Sequence, residues 1–347
     1  MKVLTIKPPQ VKTEPEDRPE KCPHCGSIYL HRHGYSTKPV KDHEVKQVVT
    51  VRYKCAQCNR TFRHYPSGVT RADQSQRLIV LAAVAWALGL STRSIQWIFD
   101  KFGAGIGKST VLRDVRTVAE QLKTQLKKRK VRVLGLDGTL VKIRGQEHGI
   151  IIALDPGSGQ PVGIAMVSEH DVKALLDWLE PLVKAFGVEV IVTDELPTYN
   201  LVARALDLRQ AHCRFHLKRR VGRLIKNFES ELGEQVKPLL DEVRQIIDEL
   251  PQDGGKRLLR LGLKIKARFD PSKEVQDPLY RLKQFILRLS QQWAKYRLWL
   301  VEPGVPSTNN RTEHAIGKLK MRARTVRGFK TFAGVESALF LTCARLG

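Results

Sequence analysis

The tightest constraint on this chain lies between residues 131 and 212, where the apolar period switches from helical to strand-like in a definite order. VRVLGLD (131–137) reads as a strand, and residues 139–143 continue it or pair with it. GIIIAL (149–154) is a second apolar run, Pro156-Gly157-Ser158-Gly159 a turn, and 162–167 the returning strand. Val172, Leu175, Leu176, Leu179, Leu182, Val183 and Phe186 then recur at i, i+3, i+4, i+7 spacing, the mark of an amphipathic helix. VEVIVT (188–193) is a further strand and runs straight into Asp194. A short helix and a last strand over 208–212 complete the order β-β-β-α-β-α-β, an α/β arrangement on a mixed sheet.

That order is the order of an RNase H-like sheet, in which the first and fourth strands are neighbours. Asp137 is expected to end the first and Asp194 the fourth, so the two carboxylates meet. Like charges that close repel unless cations lie between them. A site for two metal ions ~3.5–4 Å apart gives the pair a purpose. Glu313, on a helix expected over 309–320, could close the site. A lone Asp at a strand end is common in loops; two at matching ends, with TNNRTE (308–313) downstream, are harder to dismiss.

Charge divides the chain the same way. Residues 1–130 hold 25 Lys/Arg and 10 Asp/Glu, 131–200 hold 5 and 10, and 201–347 hold 30 and 15. Basic flanks suit a phosphate backbone, and an acidic centre suits divalent cations. The whole chain of 347 residues carries a net +25, a balance that points to a polyanion, nucleic acid before acidic membrane. Its length allows two or three domains of ~100–200 residues. No apolar run reaches the ~18 residues of a membrane span; the longest, 78–90, reads as a buried helix. Residues 1–20 hold no apolar signal-peptide core, so a cytoplasmic protein is expected.

Four of the six cysteines form two Cys-x-x-Cys pairs, Cys22/Cys25 and Cys55/Cys58. Two intervening residues let both thiolates of a pair reach one tetrahedral Zn²⁺, and the second pair completes the coordination. The 29 residues between the pairs are bridged by a longer hairpin. A redox role is the alternative, but no thioredoxin-like β-α-β context surrounds the pairs. One structural zinc is expected. Downstream, 75–126 reads as helix, Gly-rich turn, helix, the order of a helix-turn-helix. Other three-helix bundles share that order, and the neighbouring basic charge favours DNA. Arg93, Gln96, Lys108 and Arg113 are the expected contacts there, with Lys320 and Arg324 beside Glu313.

These motifs resemble a family. LDGT around Asp137, VTDE around Asp194, STNNRTEHAIGKLKMRARTVRGFKT around Glu313 and the pair Cys213-x-x-His216 are similar to those of DDE transposases of bacterial insertion sequences, related to the Mutator-like group. The resemblance implies an RNase H-like core interrupted by a helical insertion, preceded by a small zinc ribbon and a helical DNA-binding domain. The 119 residues separating Asp194 from Glu313 leave room for that insertion. It further implies two Mg²⁺ (or Mn²⁺) ions held by Asp137, Asp194 and Glu313. The activity implied is cleavage at the element's ends followed by strand transfer, on double-stranded DNA of transposon ends and target, by a homodimer or larger assembly. Cys213 and His216 belong to a motif of uncertain role. The expected organisation is a flexible tail (1–20), zinc ribbon (21–66), helix-turn-helix region with basic linker (67–130), core (131–216), helical insertion (217–306) and last core helices (307–347). Two alternatives stay open: a DNA-binding regulator with an inactive RNase H-like domain, and a structure-specific RNase H-like nuclease.

Overall fold

The computed structural model describes residues 5–126 and 129–346; two residues of the basic linker and the first four of the tail lie outside that range. The described chain divides into two units. One holds 127–140 and 148–316; the other holds 2–126, 141–147 and 317–347.

The second unit begins with β1 (Thr5–Ile6) and a three-stranded antiparallel sheet, β2 (Leu30–Pro39), β3 (Gln47–Cys55) and β4 (Thr61–His64), in the order β2-β3-β4. Its core lies in two small clusters: Leu30, Val51 and Tyr53 pack with Cys22 and Cys55, and Val40 and Val48 pack with Val69. Three helices follow, α1 (Gln76–Ala87), α2 (Thr92–Lys101) and α3 (Lys108–Leu126). Ser75 caps the first by accepting from the Leu78 N–H, and Ser91 caps the second by accepting from Ser94. The segment expected to be a flexible tail is held at several points. Lys12 N–H donates to the Ser67 carbonyl at 3.0 Å, Val49 N–H to the Thr13 carbonyl at 2.8 Å, and the Arg18 guanidinium to the Leu30 carbonyl. Backbone pairing, invisible to composition, holds this polar and Pro-rich stretch.

The other unit carries the large sheet. Its strands are β5 (Val133–Ile143), β6 (Gln146–Asp155), β7 (Gln160–Ala165), β8 (Val190–Thr193) and β9 (Arg209–His212), ordered β7-β6-β5-β8-β9. β6 and β7 are antiparallel, whereas β5, β8 and β9 run parallel, so the sheet is mixed as expected. β5 does not end at Asp137. Val141 and Ile143 sustain a period-2 buried pattern beyond it, and Arg144-Gly145, both at positive φ, turn the chain into β6. Helices α4 (Val172–Phe186) and α5 (Pro197–Ala205) cover one face, over Leu134, Leu136, Ile151 and Ile191. Asp171 caps α4, and Gly187 ends it in the left-handed conformation at φ 70°.

From His212 the chain leaves the sheet for a helical insertion: α6 (Arg214–Leu232), α7 (Lys237–Glu249), α8 (Lys256–Lys264), α9 (Pro278–Gln291) and α10 (Trp293–Val301). These share a separate apolar core around Leu240, Ile246, Leu282 and Ile286. Trp293 is part of that core and donates to the Pro251 carbonyl at 3.0 Å. Val305, Leu298 and Trp299 close the second face of the sheet against Val133, Val190 and Val192. The chain then forms α11 (Asn310–Thr325), α12 (Phe332–Cys343) and β10 (Arg345–Leu346). In the second unit, α12 packs against α3 and α1, and β10 pairs with β1 in parallel. The helical region therefore completes its core with residues more than 200 positions downstream. No helix among the described residues is long and apolar enough to cross a membrane.

Candidate active site

Strand register brings the first two carboxylates together. Gly135 of β5 is the partner of Val192 of β8 in a parallel pair. That is the last pair of the register; Asp137 lies two residues further along β5, and Asp194 directly follows the end of β8. Burial pushes the Asp137 carboxyl up to about 6, and the Asp194 and Glu313 charges push the same way. The Asp194 carboxylate accepts from the Leu196 N–H at 3.1 Å, which fixes the turn after β8.

Glu313 lies in the first turn of α11, and three bonds hold the residues that lead into it, one to β5 and two to the chain just past β9. Asn309 Nδ2 donates to the Leu136 carbonyl at 2.9 Å, one residue before Asp137. The Asn309 N–H donates to Cys213 Sγ at 3.2 Å, and the Arg214 N–H to the Ser307 carbonyl at 2.8 Å. The helix approaches β5 so closely that a Cβ on Gly135 would stand 2.4 Å from Thr312 Oγ1 and 2.5 Å from Asn309 Oδ1. Both neighbours are fully buried and bonded to each other at 2.6 Å, so neither can yield cheaply. Gly135→Ala is expected to push the first turn of α11 off the sheet. Overpacking of this kind costs about 1–3 kcal/mol. A thermal melt would check it; an unchanged Tm would show that the contact yields without cost.

Cys213 and His216 lie beside Glu313. His216 Nε2 is 3.6 Å from Glu313 Oε1, and one ligand atom from each of Cys213, His216 and Glu313 falls within 4.8 Å of the others. The Cys213 side chain raises the His216 imidazole to about 9, with the Glu313 and Asp137 charges adding to it. Burial alone would push the Cys213 thiol up, but its bonds to His216 and to the Asn309 N–H hold it below the usual thiol range. Among the described residues, Asp137, Asp194 and Glu313 do not form such a group within 4.8 Å; what joins them is the electrostatic coupling at Asp137.

Two residues escaped the sequence reading. Glu169, in the loop before α4, presses its carboxylate on the residue after Asp137: a Cβ on Gly138 would stand 2.2 Å from Glu169 Oε2. Burial and the Asp194 charge raise the Glu169 carboxyl. Tyr199 of α5 is 1% exposed, its hydroxyl has no hydrogen-bond partner, and the Glu169, Asp194 and Asp137 charges all act on it. Neither loop position nor helical periodicity marks such residues in a sequence; only the closure of the sheet does. Glu195, by contrast, faces the insertion, where it pairs with Arg220 at 2.5 Å and accepts from the Tyr296 hydroxyl at 2.9 Å.

The four cysteines of the small sheet converge. Cys22 Sγ and Cys58 Sγ are 3.7 Å apart, Cys25 Sγ and Cys55 Sγ 3.6 Å, and all four lie within 4.8 Å of one another. Four sulfurs at ~2.3 Å from one zinc are ~3.8 Å from each other, so the spacing fits that ion. The two turns repeat one geometry. Gly26 N–H donates to the Cys22 carbonyl and Asn59 N–H to the Cys55 carbonyl, and both donors have positive φ. The Cys58 and Gln57 N–H groups hold the Cys55 thiol down at about 6, against the effect of burial. A thiol so placed is ready to bind as thiolate.

Of the expected DNA contacts, Arg93 on α2, Lys108 and Arg113 on α3, and Lys320 and Arg324 on α11 are exposed, and Gln96 is half-buried.

A mixed five-stranded sheet in this order, followed by a helical insertion, with Asp137 inside β5 and Asp194 just past the end of its neighbour β8, is the α/β arrangement of the RNase H-like class. Within that class the chain is similar to the transposase IS66 family, whose pattern it matches over residues 177–337. The resemblance to an insertion-sequence transposase holds over that stretch, which includes Asp194, Cys213, His216, the helical insertion and Glu313. No curated protein matches the chain. A solved structure, the cryoEM structure of a simian T-cell lymphotropic virus intasome in complex with PP2A regulatory subunit B56 gamma, aligns at 14% identity and a TM-score of 0.23. It covers 58% of this chain and 73% of that one, and so low a score carries no argument.

Proposed function

We propose that this chain is a DDE transposase that binds the ends of its element and catalyses divalent-metal-dependent DNA strand cleavage and strand transfer, working as two or more copies on DNA. The observation that supports this reading most directly is the parallel pairing of β5 with β8 two residues before Asp137 and Asp194, with the residue that leads into α11 bonded to the Leu136 carbonyl. The donor set is oxygen, which suits Mg²⁺ or Mn²⁺, and the mutual repulsion felt at Asp137 is the kind that cations relieve. Asp137, Asp194 and Glu313 would hold the ions, which when bound supply activation of water or a 3′-hydroxyl and neutralisation of charge on the attacked phosphate. The chain's own part is placement: β5 and β8 fix two carboxylates, Asn309 and Cys213 seat the helix that carries the third, and no covalent intermediate is needed. The exposed cations on α2, α3 and α11 would hold the DNA backbone, with α3 as the helix that reads the major groove.

The test is incubation of the full chain with duplexes ending in the inverted repeats that flank its gene. Nicking at the repeat boundary and joining to a second duplex, only when Mg²⁺ or Mn²⁺ is present, is the expected result. Absent cleavage with intact end binding would return the protein to the class of DNA-binding regulators, and metal-independent cleavage would refute the metal's part in the reaction.

The raised Asp137 carboxyl sets a pH dependence. Its value of about 6 lies above the ordinary 3.8, so the unfolded chain gives up this proton first. Stability contributed by protonated Asp137 is therefore present at low pH and is lost as pH rises from about 4 through about 6. Mg²⁺ competes with that proton and offsets the loss. The rise in Tm that Mg²⁺ produces is expected to be larger at pH 7.5 than at pH 5, and to lose this pH dependence in Asp137→Asn. An equal Mg²⁺ effect at both pH values would separate Asp137 from the metal.

A further inference from the structure

Arg322 of α11 is buried, at 2% exposure, in the second unit, far along the helix from Glu313. Its guanidinium carbon lies 4.1 Å from the centre of the Trp86 ring. Nη2 donates to the Leu90 carbonyl at 3.1 Å and Nη1 to the Thr325 hydroxyl at 2.8 Å, while Nε has no partner. Among the described residues no carboxylate forms an ion pair with it, and burial alone pulls its value down to about 10. A buried cation without a counter-charge is expensive, and such groups are normally paired.

This guanidinium lines a cavity of about 570 Å³, a volume within the range of small-molecule sites. Arg93, Arg116, Arg327 and Lys330 line the same cavity, and no acidic side chain does. Ser91 and Thr331, the capping residues of α2 and α12, also face it, so two helix N-termini add their positive ends. Leu112, Val115, Val326 and Phe329 add apolar side chains to the lining. Cations and helix starts suit a phosphate, which arginine binds in forked geometry. Apolar side chains that phosphate has no use for suit a planar base.

We propose that this cavity binds one nucleoside monophosphate unit, with the phosphate against Arg322 and the base against Phe329. The unit comes either from a free nucleotide or from an unpaired residue at a DNA strand end.

The experiment uses the full-length chain carrying Asp137→Asn, without Mg²⁺, so that the outcome does not depend on whether the protein cuts DNA. Quenching of tryptophan fluorescence is followed on titration with dAMP, and the Trp86→Phe variant confirms the source of the signal. Saturable dAMP binding that weakens by about tenfold or more in Arg322→Gln, and also in Arg327→Gln at the exposed rim, is the expected result. The rim variant keeps the test valid if loss of Arg322 disturbs folding. No dAMP binding, or binding unchanged in Arg327→Gln and Lys330→Gln alike, would overturn the proposal. Inorganic phosphate competing as tightly as dAMP would overturn it too, since the base would then contribute nothing. Displacement of dAMP by a 5′-phosphorylated single strand, but not by a blunt duplex, assigns the site to DNA ends. Failure of the single strand to displace it assigns the site to the free nucleotide.

Discussion

Replacing Asp137 by Asn is expected to lower Mg²⁺-dependent cleavage of end DNA by at least about 10³-fold, with end binding near the parental level. The substitution keeps the side chain's shape and removes one of the charges that would hold the metals. On the proposed reading, DNA affinity would rest instead on the exposed cations of α2, α3 and α11. Asp194→Asn and Glu313→Gln should behave alike, and combining them should add little, because groups that act as one unit are not additive. Glu195 is the control, since Arg220 and Tyr296 already occupy its carboxylate. Should Glu195→Gln abolish cleavage while Glu313→Gln retains it, the third carboxylate has been misassigned. If all these variants cut as well as the parent, the transposase mechanism itself is wrong.

Loss of zinc should have the second largest effect. At its cysteine end the small sheet has few apolar side chains, and two of the buried residues of that cluster, Cys22 and Cys55, are expected ligands. A domain built this way takes its folding free energy from the metal. Purified protein is expected to carry one Zn²⁺ per chain. Chelation, or Cys55→Ser, should open residues 21–66 to protease and abolish preference for element ends. Protein that holds no zinc yet resists protease over that stretch, with freely reactive thiols, would refute this.

What could be read from the sequence, and what could not, follows from how far apart the interacting residues are. The strands of the large sheet announce themselves locally, through runs such as GIIIAL and VEVIVT, and their order settles which are neighbours. The cysteine pairs are local too. Residues 139–143 read equally as a continuation of the first strand or as its partner, and the pairing of β5 with β6 decides for continuation. Glu169 went unnoticed since nothing within its own loop distinguishes it; it matters through Gly138, 31 positions earlier. The pairing of His216 with Glu313 spans 97 positions and depends on the insertion folding back. Arg322 reads as one more cation on a basic helix, and its burial against Trp86 is set by tertiary packing alone.

The packing of α12 on α1 and α3, with β10 paired to β1, bears on how the protein is made. A ribosome releases the N-terminal helices long before it reaches residue 332, so for most of its synthesis the nascent chain exposes the apolar faces of α1 and α3 that α12 will cover. A polypeptide stopped early, by a frameshift or a nonsense codon, keeps the cysteine pairs and the three helices yet never finishes their core. Truncated copies of the gene would then yield poorly folded fragments rather than stable competitors for the same DNA.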